Sequence, residues 1–236
     1  MTREELLTQT FVELADTLVT GFDIVELLHM LASRCVDLAD VDAAGIMLAD
    51  EAGSLRVVAS SSERIYLLEL FEVQHSEGPC LDAYETARPV VADLHDTEAW
   101  PTVRAEALRN GFQSVVALPM RLRTESIGAL NLFRNERGTL PDSDVAVCRA
   151  LADMATIGLL HERAVREARL LAEQLQSALN TRVLIEQAKG VVAERLRGDM
   201  DEAFGWLRTH ARNNNLLIGD VARGVVERRI PVARVV

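Results

Sequence analysis

Lys189 is the one lysine in a chain that otherwise carries 24 arginines, so a guanidinium supplies the positive charge everywhere but there. It lies in the stretch Asn180-Thr-Arg-Val-Leu-Ile-Glu-Gln-Ala-Lys-Gly-Val-Val-Ala-Glu-Arg-Leu196. Read as a helix, this stretch sets Arg182, Glu186, Lys189 and Arg197 near one outer stripe. Arg208 and Arg212, four apart, are neighbours on a following helix. A strip of that kind can face a phosphate backbone. Gln187 and the run Asn213-Asn214-Asn215 bring amide donors and acceptors of the sort that read unpaired bases. Ala188 and Gly190 are small enough to let a base or a second helix come close. Trp206 could stack on a base, although on a small bundle a tryptophan more often packs inside. The same charges also have a structural reading, in which Arg208 pairs with Glu202 or Glu186 and ties the helices together.

Charge is distributed unevenly. The formal net charge is −11, which argues against general nucleic-acid coating. Residues 1–180 hold 15 arginines against 29 acids, near −14, while residues 181–236 hold 10 basic residues against 7 acids, near +3. A basic end on an acidic body fits either a local polyanion partner or a mixed solvated surface. With 49% apolar residues in a chain of 236, a packed core is expected, in one large or two small domains.

Several function classes find no support. There is no Gly-x-Ser-x-Gly elbow, no phosphate-binding glycine loop, no His-Glu-x-x-His and no dinucleotide fingerprint, so we expect no enzyme. Cys35, Cys80 and Cys148 are odd in number and far apart, without Cys-x-x-Cys, which indicates neither zinc nor a disulfide framework. Asp93, His95 and Asp96 fit no standard metal spacing. The polar opening Met1-Thr-Arg-Glu-Glu5 is not a signal peptide, and no apolar run approaches a membrane span of roughly 18 residues. A cytoplasmic protein without cofactor or membrane partner is expected.

Two amphipathic helices open the chain. Leu7, Phe11, Leu14 and Leu18 mark the first over 3–19; Leu27, Leu28, Leu31 and Cys35 mark the second over 23–39, with Gly21 between them. The period then shortens. Ala43–Ala49 and Leu55–Ser60 form a hairpin about Asp50-Glu-Ala-Gly53. A helix over 63–73 follows, then a turn at Glu77-Gly-Pro-Cys80 and a short helix to Thr86. Pro89–Asp93 is a strand, and its proline favours the beginning of a strand or an edge. Thr102–Arg109 is a helix, and Gln113–Arg121 with Ser126–Arg134 make the clearest hairpin. Five or six mostly antiparallel strands with helices on one face give an α+β domain.

From Pro141 the helical period returns and continues past Lys189. Val147, Leu151, Met154, Gly158, His161, Val165, Ala168, Ala172, Leu175 and Leu179 form a heptad seam, weak at Gly158, His161, Ala168 and Ala172. It suggests a parallel coiled-coil homodimer, the alternative being a helix packed on its own domain. No proline or glycine falls between 159 and 189, so no flexible linker is expected. Gly198 ends the helix, and Asp199-Met-Asp-Glu202 opens the next as a variant capping box. Phe204, Leu207 and Ala211 are taken as its inner face. A last helix over Leu217–Arg228 turns Val221, Ala222, Val225 and Val226 toward Ile185, Ala188, Val192 and Leu196, closing a three-helix bundle.

Residues 175–230 resemble the ANTAR domain, an RNA-binding antitermination module. The likeness is carried by Thr181-Arg-Val-Leu-Ile-Glu-Gln-Ala-Lys-Gly190, Asp201-Glu-Ala-Phe-Gly-Trp-Leu-Arg208, Ala211-Arg-Asn-Asn-Asn215 and Asp220-Val-Ala222. Residues 20–160 resemble a GAF domain, a small-molecule or signal-sensing fold, through Glu77-Gly-Pro-Cys-Leu-Asp82, Ala92-Asp-Leu94, Trp100-Pro101, Ser114-Val-Val-Ala-Leu-Pro119 and Ile127-Gly-Ala-Leu-Asn-Leu132. The pairing is similar to GAF–ANTAR regulators of high-GC bacteria. The resemblance implies a transcription antiterminator that binds, as a dimer, a nascent RNA with two short stem-loops. No receiver-like acidic pocket accompanies it, so control by aspartate phosphorylation is not implied. We expect a sensor over 1–140, a connecting and dimerisation helix over 141–180 and an RNA-binding domain over 175–236. Cys80 is the candidate ligand contact in the sensor, although a small buried thiol is more usual. Its ligand is unnamed by the sequence: nothing indicates a haem, a flavin or a cyclic nucleotide. A second reading from another class is a ligand-binding scaffold whose helical tail docks a protein.

Overall fold

The computed structural model describes residues 2–17 and 23–232; Leu18 and Gly21, given roles above, lie outside them. The chain divides into two compact units, Met1–Arg163 and Ala164–Val236. The first begins with helices α1 (Arg3–Thr17) and α2 (Ile24–Leu38), then strands β1 (Ala43–Ala49) and β2 (Leu55–Ser60). Helices α3 (Glu63–His75) and α4 (Pro79–Thr86), strand β3 (Val90–Asp93) and helix α5 (Pro101–Arg109) follow. The long hairpin is β4 (Ser114–Leu122) and β5 (Glu125–Arg134).

The described strands form one antiparallel sheet in the order β2-β1-β5-β4-β3. Pro89 precedes β3, an edge strand, where its missing N–H costs the sheet no ladder bond. The central strand β5 and its neighbour β4 are buried along most of their length on successive residues. That pattern requires cover on both sides. The expectation of helices on one face is therefore corrected. Leu130 and Leu132 of β5 pack with Val116, Leu118, Ile46 and residues of α1, α2 and the long helix α6 (Asp142–Leu196). Val115 and Phe133 turn the other way, to Ile65, Leu68 and Val103 of α3 and α5, while Met47, Ala117 and Ala129 meet Cys80 and Ala83 of α4.

Helix α6 runs unbroken for 55 residues, Asp142–Leu196. Its first turns carry Cys148, Leu151, Ala152, Ala155 and Leu159 into the core of the first unit. The heptad seam therefore divides. Leu151 and Gly158 are buried and Val147 and Met154 half-buried, whereas His161, Ala168, Ala172, Leu175 and Leu179 are exposed. The upper part of the seam is a helix face packed on its own domain, because its partners are already supplied by the sheet and α1–α2.

In the second unit, α6 is joined by α7 (Met200–Asn213) and α8 (Ile218–Val226). Ala188, Val192, Ala203, Trp206, Leu207, Val221, Ala222 and Val225 make its core. Asp199 accepts the Glu202 amide at 2.8 Å while the Glu202 carboxylate accepts the Asp199 amide at 3.3 Å, completing the capping box. The left-handed residue that ends α6 is Arg197 (φ 51°), one before the expected Gly198.

Asp144 fastens the start of α6 within the first unit. Its carboxylate accepts the Asp40 backbone amide at 2.9 Å, the Ser143 hydroxyl at 3.2 Å and the Arg3 guanidinium. Burial works against its charge, but the Asp40 amide, Arg3 and Ser143 together hold the carboxyl below its ordinary value. A lowered folded-state pKa stabilises above the unfolded value and is lost as pH falls through the folded one. We expect Asp144→Asn to cost about 1–3 kcal/mol at neutral pH, the scale of a buried charged hydrogen-bond acceptor. Urea unfolding should show wild type and variant converging in strong acid; a constant gap at every pH would refute the account.

Candidate functional site

The second unit gathers charge around one aromatic ring. Phe204, taken from its spacing as an inner residue, is 36% exposed. The true inner stripe of α7 is Ala203, Trp206, Leu207 and Ala211. Leu207 and Ala211 face inward as expected, and Phe204 does not. The signal that turns Phe204 out is Trp206, whose large ring needs the bundle interior and takes Ala203 with it. Trp206 is 8% exposed and stacks on His210, ring centroids 4.9 Å apart, so its ring is committed to the bundle.

Lys189 of α6 and Arg208 of α7 flank Phe204. The Lys189 ammonium lies 5.8 Å from the ring centroid and the Arg208 guanidinium 5.9 Å, within cation–π range. The Lys189 Nζ also donates to both oxygens of Glu186, at 3.1 and 2.9 Å. Its side chain is only 17% exposed, held by carboxylate and ring. Lys189 is thus fixed in direction by two neighbours while its remaining donor capacity faces outward. Arg182, Arg208 and Arg212 make no ion pair among the described residues, and the pairing of Arg208 with Glu202 or Glu186 does not occur. Glu186 is taken by Lys189 and Glu202 by the cap.

Phe204 also separates two open grooves. One is lined by Thr181, Arg182, Ile185 and Glu186, the other by Arg208, Arg212, Leu216 and Leu217. Gln187 is exposed on α6; Asn213 ends α7 and Asn214 caps it, its side-chain amide donating to the His210 carbonyl at 2.9 Å. Asn215 takes a left-handed turn conformation (φ 52°). Two expected site residues are placed elsewhere. Ala188 is fully buried in the bundle core and cannot touch a ligand. Arg197 lies beyond the last helical residue, in the turn, and is not on the stripe with Arg182 and Lys189. Gly190 stays half-exposed, and a methyl added there or at Gly205 would meet nothing in the unit.

In the first unit Cys80 is fully buried, its thiol donating to the Ala129 carbonyl at 3.7 Å. Burial, then the Glu72 and Glu69 carboxylates, push that thiol well above its usual range, so it is no nucleophile. Asp93 is held by the His95 amide, Arg137 and the Gly138 amide, an ordinary surface network. Among the described residues no group of three or more His, Cys, Asp or Glu could hold a metal, and no helix is long and apolar enough to cross a membrane.

Comparison with known proteins matches the ANTAR domain over residues 173–226 and the GAF domain over residues 23–160. No curated protein matches the chain. Among solved structures, the GAF domain of a phosphoenolpyruvate-protein phosphotransferase from Coxiella burnetii is 19% identical, with TM-score 0.55, covering 70% of this chain and 96% of that one. Free methionine-R-sulfoxide reductase from Neisseria meningitidis, in complex with its substrate, is 18% identical, with TM-score 0.54 and coverage of 69% and 91%. The GAF domain of the Acinetobacter phosphoenolpyruvate-protein phosphotransferase is 16% identical, with TM-score 0.51 and coverage of 68% and 97%. At these identities the likeness is one of fold.

The swap of inner and outer aromatics is testable on stability alone. Trp206→Ala should cost about 3–5 kcal/mol of unfolding free energy, as a large buried ring does. Phe204→Ala should cost less than about 1 kcal/mol. Gly190→Ala should stabilise by up to about 1 kcal/mol, because a mid-helix glycine with open space gains from a methyl. Denaturant unfolding monitored by circular dichroism decides; equal losses for the two aromatics would overturn the assignment.

Proposed function

The chain belongs to the GAF domain family and carries an ANTAR domain near its C-terminus, and from that premise we propose that it is an RNA-binding transcription antiterminator governed by its sensory domain. The sensor occupies residues 1–140, the connecting helix 141–180 and the RNA-binding domain 175–236. The observation that carries the reading is Phe204, an exposed aromatic set between Lys189 and Arg208 with an arginine-lined groove on either side. A flipped or unstacked loop base would stack on the ring while the cations meet the phosphates around it. Arg182, Arg208 and Arg212 supply guanidinium forks, and Gln187, Asn213 and Asn214 supply amides for base edges. Glu186 orients Lys189 and can accept from a base amine. Gly190, costly in a helix and unneeded by the bundle, lets RNA or a second helix approach the backbone.

The RNA is a nascent transcript with paired stem-loops, which places the protein in the cytoplasm. Two copies bind it. The exposed part of the seam, Ala168, Ala172, Leu175 and Leu179, is a stripe of apolar side chains facing solvent in the single chain, with both leucines 58% exposed. Pairing it in a parallel homodimer removes that stripe from water. Each copy then holds one stem-loop, and the second engagement gains by effective concentration. Held this way, the RNA is kept from forming a terminator hairpin. The sensory domain takes a small molecule and biases this state through α6.

Filter binding of the full chain to a two-stem RNA should give an affinity that falls steeply with salt. Lys189→Ala and Phe204→Ala should each lose about 1–3 kcal/mol of binding with the fold intact. Lys189→Arg should also be impaired, since a planar fork does not replace a compact ammonium held by Glu186. Arginine binding as well as lysine would reject the special geometry. Binding no better than to a scrambled hairpin would leave the protein-docking scaffold as the better reading. For the dimer, Leu175→Asp with Leu179→Asp should sediment as a monomer at tens of micromolar where wild type is dimeric; a wild-type monomer that RNA does not pair would refute it.

A further inference from the structure

Asn131 sits on β5, the central strand, with Gly45 of β1 and Ala117 of β4 as its register partners. A buried amide in mid-sheet is costly unless its hydrogen-bonding groups are matched. Above it α3 lays down Glu69 and Glu72, three apart and hence on one face. All three side chains are fully buried. The Asn131 amide nitrogen donates to Glu69 Oε1 at 3.4 Å, and there the matching ends. Glu69 Oε2, both oxygens of Glu72 and Asn131 Oδ1 have no hydrogen-bond partner. The island therefore offers four unmatched acceptors.

Its surroundings are built for this. A Cβ at Gly45 would stand 2.1 Å from the Glu69 carboxylate, and one at Gly78 would stand 2.4 Å from that of Glu72. Gly78 is also required by its φ of 147°, but Gly45 lies in ordinary strand geometry, so its missing side chain serves the carboxylate alone. The island also divides the apolar layer on this face, with Ile65, Leu68, Phe112 and Phe133 in one cluster and Met47, Cys80, Ala83 and Ala129 in another. Apolar residues of similar volume would stabilise such a layer better than unpaired carboxylates.

No ion pair reaches Glu69 or Glu72 among the described residues; the charge that acts on Glu69 is Glu72, and the charge that acts on Glu72 is Asp82. Burial pushes the Glu72 carboxyl up to about 8, opposed by the Cys80 amide, which comes near without making a hydrogen bond of normal geometry, and by the Asn131 side chain. Burial and then Glu72 push Glu69 well above the carboxylate range. With both carboxyls pushed up, the empty island holds them mainly protonated near neutral pH, and a bound cation would favour their ionised, acceptor-only form.

We propose that the Glu69–Glu72–Asn131 island is the recognition point for a small organic cation, an alkylguanidinium or alkylammonium headgroup, so that the molecule sensed by the first unit is cationic. Such a headgroup carries several N–H donors, no acceptor and one positive charge, the complement of what the island lacks. The inference deepens the sensory reading and rests on it for the regulatory consequence, while binding at the island stands on its own geometry.

The test is a thermal-shift titration of the full chain with millimolar methylguanidinium and methylammonium chloride, far below denaturing concentrations. N-methylurea and sodium chloride at matched concentration are the neutral and ionic controls. Either cation should raise the midpoint in a concentration-dependent way, as a ligand of the folded state does, and the controls should not. The double variant Glu69→Gln, Glu72→Gln should fold with a raised midpoint and lose the response. Should the pair fail to fold, Glu72→Gln alone should weaken the response several-fold. No shift beyond the controls, or an undiminished shift in the folded variants, overturns the site. RNA filter binding with and without the cation separates the two readings: an RNA affinity that the cation changes supports the link between them. A chain that binds the cation and no RNA keeps the island and rejects the antiterminator.

Discussion

A helix of 55 residues keeps a fixed place in a fold only where a face of it is buried, since most helical stability in proteins comes from tertiary packing rather than propensity. Helix α6 meets this constraint twice. Near its start, Cys148, Leu151, Ala155 and Leu159 complete the core beneath the sheet; near its end, Ala188 and Val192 complete the small bundle. The boundary between the two units falls at Arg163 and Ala164, inside the helix. Neither unit is finished without its share of α6. The stretch between the two buried ends exposes Leu170, Leu171, Leu175, Leu179 and Val183, apolar side chains that the described residues leave in solvent.

The two proposed sites break the packing rule in opposite directions. Phe204 leaves an aromatic ring partly in water, with Lys189 and Arg208 both within cation–π range of it. Asn131, Glu69 and Glu72 put polar groups where the sheet would be more stable with leucines. Each departure is supported by neighbours that give something up. Gly190 and Gly205 forgo helix stability beside the first, and Gly45 forgoes a side chain beside the second. Local conflict of this kind, inside a chain otherwise consistent at every level, is what a binding site produces, and it is why both places are proposed as sites.

Much of this protein follows from order along the chain. The hairpins, the capping box of Asp199 and Glu202, the unbroken run of α6 and the apolar residues at 188, 192, 207, 221 and 225 rest on interactions among near neighbours, whose period and caps are legible in one dimension. The tertiary structure alone decided the matters of facing. It covered β4 and β5 on both sides, turned Phe204 out and carried Arg197 past the helix end. It divided a heptad seam that reads as continuous. It also brought Gly45, Glu69, Glu72 and Asn131 together, although Glu69 and Asn131 lie 62 residues apart. The reason is physical: a repeat along the chain fixes which residues share a face, but the other elements competing to cover that face determine whether it meets a core, a partner or water.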